Sequence, residues 1–501
     1  MPETQPTPNI LAVRDEAPLR APVDYILRTF ARLAGFPLEI IGPGELAARV
    51  AGQRAPADGG AAPCLLLFYA TRQRLAELYR HVRKGECRVL AVERGPFFGD
   101  SYLVSPDLPA PPADLMAAAD ATGFPGRLQR PAARMAVLTL DVFAAAFWFL
   151  TRYEEYVTSS PDPHGRFLCA HSVAPPEMYA RPLVNLWFER LRAVALDVAG
   201  LGTADELRQP ARTTVALTHD VDVLAKYRGV RGVRRVISSI ARPGETTAEL
   251  RMGSLVMAGL RRDPYDSFDE LFTLKERIGA PGTFFLMGGG RHPLDGDYEL
   301  HDPRIRRILT RARNGGDEIG AHPSYESYLD TEMIRKQAAA VAKAAKRPVQ
   351  GSRQHYLRFS VPETLRAVEK AGLRYESTMG FPDRAGFRCG WSGCFTPFDL
   401  EQGRELDLVE VPLVAMDVSL AVYEKLESNH ALERVSGLMD ASNVPGGAFV
   451  FLWHNIMRDR SAYPGFWDTF EFVFFAAAGS ARYATLGSLV DEYAGPAPAT
   501  A

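Results

Sequence analysis

Long apolar runs are missing from this 501-residue chain: no uninterrupted stretch reaches the length of a membrane-crossing helix. Cysteine is scarce, five in all (Cys64, Cys87, Cys169, Cys389 and Cys394). That is too few and too scattered for a disulfide scaffold. Cys389 and Cys394 have no CxxC partner, which argues against a structural zinc knuckle. Neither sign of charge dominates, with 58 basic and 60 acidic residues and a net charge of −2. A global electrostatic footprint for nucleic acid is therefore absent, and no nucleic-acid partner is expected. The start, MPETQPTPNILAVRDEAPLR, lacks a cationic segment followed by an apolar core. No secretory signal is expected, and the cytoplasm is the expected address. No repeat recurs at a fixed period. What is present, 47% hydrophobic and 24% charged residues, is ordinary for a globular protein and excludes disordered or fibrous chains. The length fits two or three domains.

Residues 1–20, rich in Pro and Thr, read as a flexible arm. A smaller α/β accessory domain is expected over 21–205. It opens on the helix-like VDYILRTFARLAG and continues with the buried-strand run CLLLFYA at 64–70. The Pro- and Ala-dense residues 104–135 read as an irregular connection, and 136–157 shows helical spacing. PDPHGRFLCAHS (161–172) is turn-like, with His164 and His171 as turn and packing residues. PLVNLWFERLRAVALDVAG is a helix ending at Gly200.

The second half has a different grammar. Short apolar strands alternate with helical stretches: VALTHD (215–220), TFFLM (283–287), EIGAH (318–322), GSRQH (351–355), YESTM (375–379), VEVPLVAMD (409–417) and FVFLWHN (449–455). Such alternation implies βαβ units and a parallel sheet. Seven strands predict a closed or nearly closed (β/α) barrel over 213–490, followed by a flexible tail at 491–501. Thr218, His219, Asp220, His322, Arg353, His355, Asp417 and His454 fall at strand C-terminal ends, the rim that carries the chemistry of an α/β barrel. In THDVD, Asp220 and Asp222 can divide proton transfer and cation binding between them. In HPSYE, His322 and Glu326 share one face if the segment coils into a helix. Arg353 can hold a carboxylate in a bidentate fork, and Tyr356 can wall a sugar pocket.

These segments resemble, in order, the motifs of the polysaccharide deacetylase family, the NodB-homology domain of carbohydrate esterases. The resemblance spans about residues 213–490. It implies a distorted (β/α) barrel and a metal-dependent hydrolase removing acetyl groups from N-acetylated sugars. By the match of THDVD, Asp220 is the general base and Asp222 a metal ligand. HPSYE resembles the second motif, so His322 is a ligand and Glu326 stands where the family has a second histidine. RQHY resembles the third, so Arg353 would steady the base and Tyr356 line the groove, with His355 replacing a proline. YESTMGF and Asp383 sit where the fourth motif belongs, with a poor match. LWH resembles the fifth, making His454 the general acid, and Trp453 is counted with Tyr356 and His355 as substrate-binding. FWFLTRYEEY, DPHGRF and RPLVNLW resemble the domain of uncharacterised function that precedes such barrels in some bacterial proteins.

The resemblance implies a divalent metal, zinc in most of the family, with manganese or iron as the alternatives. Asp222 and His322 leave a third ligand position for which Glu326, His355 and His219 compete. Residues 226–242, KYRGVRGVRRVISSIAR, hold six basic residues and no acid, and could meet a membrane surface or an anionic glycolipid. A polysaccharide, or its lipid- or nucleotide-linked precursor, is the expected substrate. Two readings stay open beside it: a small-amide hydrolase on the same site, and a non-catalytic carbohydrate-binding protein on a degenerate barrel.

Overall fold

A computed structural model of the chain describes residues 9–14, 20–46, 64–81, 88–95, 127–157, 161–202, 212–227 and 246–495. The first sheet has six strands: β1 (Asn9–Arg14), β2 (Leu38–Ile41), β3 (Cys64–Ala70), β4 (Arg88–Glu93), β5 (Leu128–Ala132) and β6 (Met135–Leu138), in the order β2-β1-β3-β4-β6-β5. Every pairing is parallel except β5 with β6. Three expectations are corrected here. The segment read as a flexible arm supplies β1, an interior strand, because Ile10, Ala12 and Val13 are apolar enough to be buried. The connection read as irregular up to 135 contains β5. The helical reading of 136–157 begins too early: β6 runs to Leu138, and the helix Val142–Leu150 starts only after Asp141, whose carboxylate caps the Ala144 N–H.

That helix is buried along its whole length, as a helix apolar all round must be. Its rings meet both halves of the chain: Phe143 lies 5.7 Å from Phe30, and Phe147 lies 5.6 Å from Phe398. Beyond it, TRYEEY forms a buried ionic knot. Arg152 binds Glu154 (2.7 Å) and Glu155 (2.6 Å), and Glu155 also takes Arg388 (2.5 Å) from the second half. One hydrophobic core therefore runs from the first sheet to residues 321–408.

The second sheet contains β7 (Thr214–Val221), β8 (Gly282–Leu286), β9 (Glu318–Ala321), β10 (Gly351–Ser352) and β11 (Tyr375–Glu376). A small antiparallel pair, β12 (Phe398–Asp399) and β13 (Arg404–Glu405), stands apart from it. The sheet is completed by β14 (Val409–Glu410), β15 (Ala415–Met416), β16 (Ala448–Leu452) and β17 (Arg482–Tyr483). The order is β14-β11-β10-β9-β8-β7-β16-β15, with β17 beside β7, and every pairing is parallel. The two edges, β14 and β15, are consecutive in sequence and separated by residues 411–414. So short a link reaches at most about 20 Å, and the sheet must curl until its edges nearly meet. The chain closes the gap itself: Val411 N–H donates to Glu376 O (2.9 Å) and Val414 N–H to Val450 O (3.0 Å). Residues 491–494, read as part of the tail, belong to the last helix, Leu486–Ala494, and 496–501 lie outside the described residues.

Candidate metal and acid–base site

Side chains alternate across a strand, and β7 uses this to divide its polar residues. Thr218 and Asp220 share one face with Arg353. The intervening His219 turns to the other face, where its ring meets Phe284 at 4.7 Å. His219 Nδ1 lies 2.8 Å from Trp453 O, an acceptor only, so Nδ1 carries the proton. Nε2 is buried without a partner. Burial, then Lys275, depresses the His219 pKa to about 3. His219 is thus a neutral core residue and no candidate ligand.

Arg353 is fully buried and fixed by four bonds: to Thr218 Oγ1 (2.6 Å), Asp220 Oδ1 (3.3 Å), Ser377 O (2.9 Å) and Ser377 Oγ (3.0 Å). It holds one oxygen of Asp220, while the other lies 3.8 Å from His322 Nε2.

His322 sits just past β9 and His355 just past β10. His322 Nδ1 faces Arg353 O at 2.6 Å, and His355 Nε2 faces Leu294 O at 2.8 Å. Carbonyl oxygens only accept, so each imidazole places its proton there. The second nitrogens are thereby left bare and turned toward each other, 3.0 Å apart. Asp222 Oδ1 completes the triangle, 3.1 Å from His322 Nε2 and 3.5 Å from His355 Nδ1, and is buried with no hydrogen-bond partner. Three electron-pair donors converge with nothing between them. Histidines that ligate metals are oriented in the same way, their outer N–H groups pinned to carbonyls. Burial alone would push the Asp222 carboxyl up, but His355, His322 and His454 hold it well below the usual carboxylate range. Burial likewise disfavours a charged His322, yet Asp220 and Asp222 raise its pKa. The pocket attracts positive charge. Among the described residues, Asp222, His322 and His355 are the group able to hold a metal ion.

His454 follows β16 and faces Asp222 Oδ2 at 3.6 Å through Nε2. Its Nδ1 lies 2.6 Å from Asp417 Oδ1, and its backbone N–H donates to Asp417 Oδ2 (2.5 Å). Burial lowers the His454 pKa, but Asp417, then Asp222 and Asp220, raise it to about 9. A cationic imidazole therefore points at the cluster. Asp417 stands at the strand end named from sequence, but its role as orienting partner of His454 was not assigned there; only the three-dimensional pairing reveals it. Leu294 O is invisible to any side-chain motif.

Two site assignments are corrected. Glu326 is exposed and outside the cluster. The i, i+4 argument needed a helix, but residues 322–330 form turns, and the helix begins only at Thr331. Trp453 is buried outside the site, packed on Trp467 (4.8 Å), Phe470 (5.6 Å) and Phe474 (5.9 Å). Asp383 lies away from the cluster and caps the backbone N–H groups of Cys169 (2.8 Å) and Ala170 (3.2 Å). Tyr356 is half-buried beside His355, with ring centroids 4.9 Å apart, and has the left-handed φ of 62°. Such a backbone is rare for a bulky residue and is held only by surrounding structure. Of the basic run 226–242, residues 228–242 lie outside the described residues. Its first member, Lys226, is buried in an ion pair with Asp459 (2.7 Å), so it is no surface charge.

Residues 97–197 match a family model described as a family of unknown function, DUF7033. The comparison with curated proteins returns no match. Among solved structures, the chain is similar to a candidate polysaccharide deacetylase of Mycobacterium smegmatis, with 18% identity over 57% of this chain and 91% of that one, at a TM-score of 0.38. It is also similar to the peptidoglycan deacetylase PdaC of Bacillus subtilis (12% identity, 57% and 94% coverage, TM-score 0.30). A third neighbour is a CE4-family pseudoenzyme of Bacillus anthracis (12% identity, 58% and 72% coverage, TM-score 0.28).

Proposed function

We propose that the chain is a metal-dependent hydrolase that removes acetyl groups from N-acetylated sugars. The observation that carries this reading is the convergence of Asp222 Oδ1, His322 Nε2 and His355 Nδ1, flanked by Asp220–Arg353 and Asp417–His454. Two imidazoles and one carboxylate suit zinc with an open coordination position. Manganese, an alternative named from sequence, suits oxygen-richer ligand sets than this one. A divalent ion bound there supplies Lewis acidity toward an acyl oxygen and makes a nearby water more acidic.

The residues of the chain divide the remaining work. Asp220, with Oδ1 tied to Arg353 and Oδ2 free toward the cluster, accepts a proton from the attacking water. Arg353 is a positioning residue, fixing which oxygen of Asp220 is available. His454 enters as a cation, held so by Asp417, and gives its Nε2 proton to the departing amide nitrogen. Water's oxygen bonds to the acyl carbon first, and the C–N bond then breaks as His454 protonates the nitrogen, leaving acetate and a free amino sugar. Tyr356 lines the entrance and offers its backbone N–H to the developing oxyanion.

The test is acetate release from the N-acetylglucosamine pentamer by the full chain loaded with zinc, with free amine counted in parallel. Equal amounts of acetate and amine are expected, with turnover reduced about 10²- to 10⁴-fold in Asp220→Asn. No acetate from any N-acetylated sugar, with a small non-sugar amide hydrolysed instead, would move the reaction to another substrate class.

A further inference from the structure

The turn 161–167 of the first half reaches across to the mouth of the second. Asp162 builds it locally, accepting from the backbone N–H of His164 (2.9 Å) and of Arg166 (2.9 Å) and from the Arg166 guanidinium (2.9 and 2.7 Å). Gly165 takes φ +74° at the apex, where a side chain is disfavoured. The turn then grips the segment that follows His355 from two sides. Arg166 Nη1 donates to Tyr356 O (3.1 Å), and Nη2 donates to Tyr423 Oη (2.9 Å). Arg358 Nε donates to His164 O (2.8 Å). The His164 ring lies over Tyr356 with centroids 5.1 Å apart, and its Nδ1 meets Tyr325 Oη at 2.8 Å. Its Nε2 has no partner among the described residues. His164 thus stands one ring further from the metal cluster than Tyr356, half-exposed at the rim. The sequence reading of His164 as a turn and packing residue fits its backbone and its ring contacts with Tyr356 and Tyr325; it did not place the ring at the mouth of the second half.

We propose that the first half of the chain contributes directly to substrate binding: the His164 imidazole, set against Tyr356, contacts the sugar unit adjoining the one whose acetyl group is removed. Arg166 is the positioning residue that fixes Tyr356 in its left-handed conformation. The inference rests on the proposed deacetylase reading for its substrate class. It assigns a role to residues inside the matched family of unknown function: completing the barrel mouth and selecting oligosaccharides over single sugars.

The experiment compares wild type, His164→Ala and His164→Gln as full chains. The two probes are the N-acetylglucosamine pentamer and N-acetylglucosamine, with binding followed by calorimetry and turnover by acetate release. For the pentamer, His164→Ala is expected to weaken binding and raise KM about tenfold with kcat within twofold. Single-sugar parameters are expected to stay unchanged. Glutamine, which keeps a hydrogen-bonding tip, is expected to recover part of the loss, and equal melting temperatures show that folding is intact. Equal losses for pentamer and single sugar, unaltered pentamer binding in His164→Ala, or no pentamer binding by wild type would each overturn the proposal. A wild type that binds pentamer through His164 but releases no acetate would instead refute the catalytic reading and leave the binding role standing.

Discussion

Replacing Asp417 by Asn separates the charge of the Asp417–His454 pair from its shape. The amide is isosteric, and its oxygen can still accept from His454 Nδ1, but the negative charge that outweighs burial is gone. In the native pair the His454 pKa stands at about 9. Without Asp417, burial still lowers the value and Asp222 and Asp220 still raise it, so the ordinary histidine value of about 6.5 is the reference for the variant. At pH 7.5 the imidazole is then about 97% protonated in the native chain and about 10% at that reference value. A general acid must carry its proton to act, so activity falls as pH rises through its pKa. Asp417→Asn is expected to lose up to about tenfold in kcat at pH 7.5 from this cause alone, and its alkaline limb should move down from about 9 toward the ordinary histidine range. Metal content should be unchanged, since neither residue belongs to the Asp222–His322–His355 group. The assay is initial acetate release from pH 6 to 10, with metal measured on the same samples. An alkaline limb that stays near its native position in the variant would refute the assignment of His454 as the acid.

Two further outcomes follow from the core. His219 is neutral in the folded chain with a pKa near 3, whereas an unfolded histidine titrates near 6.5. The unfolded state therefore binds more protons below pH 6.5, and stability is lost as pH falls, by about 2 kcal/mol between pH 7 and 5. His219→Gln should flatten that dependence in urea melts at the two pH values, and an unchanged dependence would contradict it. Trp453→Ala should cost roughly 3–5 kcal/mol in the same melts while leaving KM unaltered. A selective rise in KM with full stability would return Trp453 to the substrate site.

The sequence was most informative where one residue decides one thing. Strands with apolar runs ending in a polar residue put Asp220, His322, His355, Asp417 and His454 near one rim, because parallel strands share a C-terminal end. The resemblance then divided Asp220 from Asp222 by role. Legibility failed where a partner comes from elsewhere in the chain or where local conformation was assumed. Glu326 looked like a ligand from its i, i+4 spacing, which needs a helix, and from its place in the second motif. His219 and Asp220 are adjacent in sequence and opposite in space. Trp453 borders a candidate acid, yet its ring belongs to the aromatic packing around Trp467. The strand NILAVR was obscured by the prolines around it. The reach of His164 into the barrel mouth depends on how two halves of the chain pack, which no local pattern encodes.

The central claim is the three-residue metal group, and its most direct test is metal content per chain after purification without chelators, repeated after loading with zinc. About one tightly held ion is predicted for the wild type and for Glu326→Ala, with loss of the ion in Asp222→Asn, His322→Ala and His355→Ala. No retained ion under any loading, or an ion lost with Glu326→Ala and kept with His355→Ala, would contradict the account.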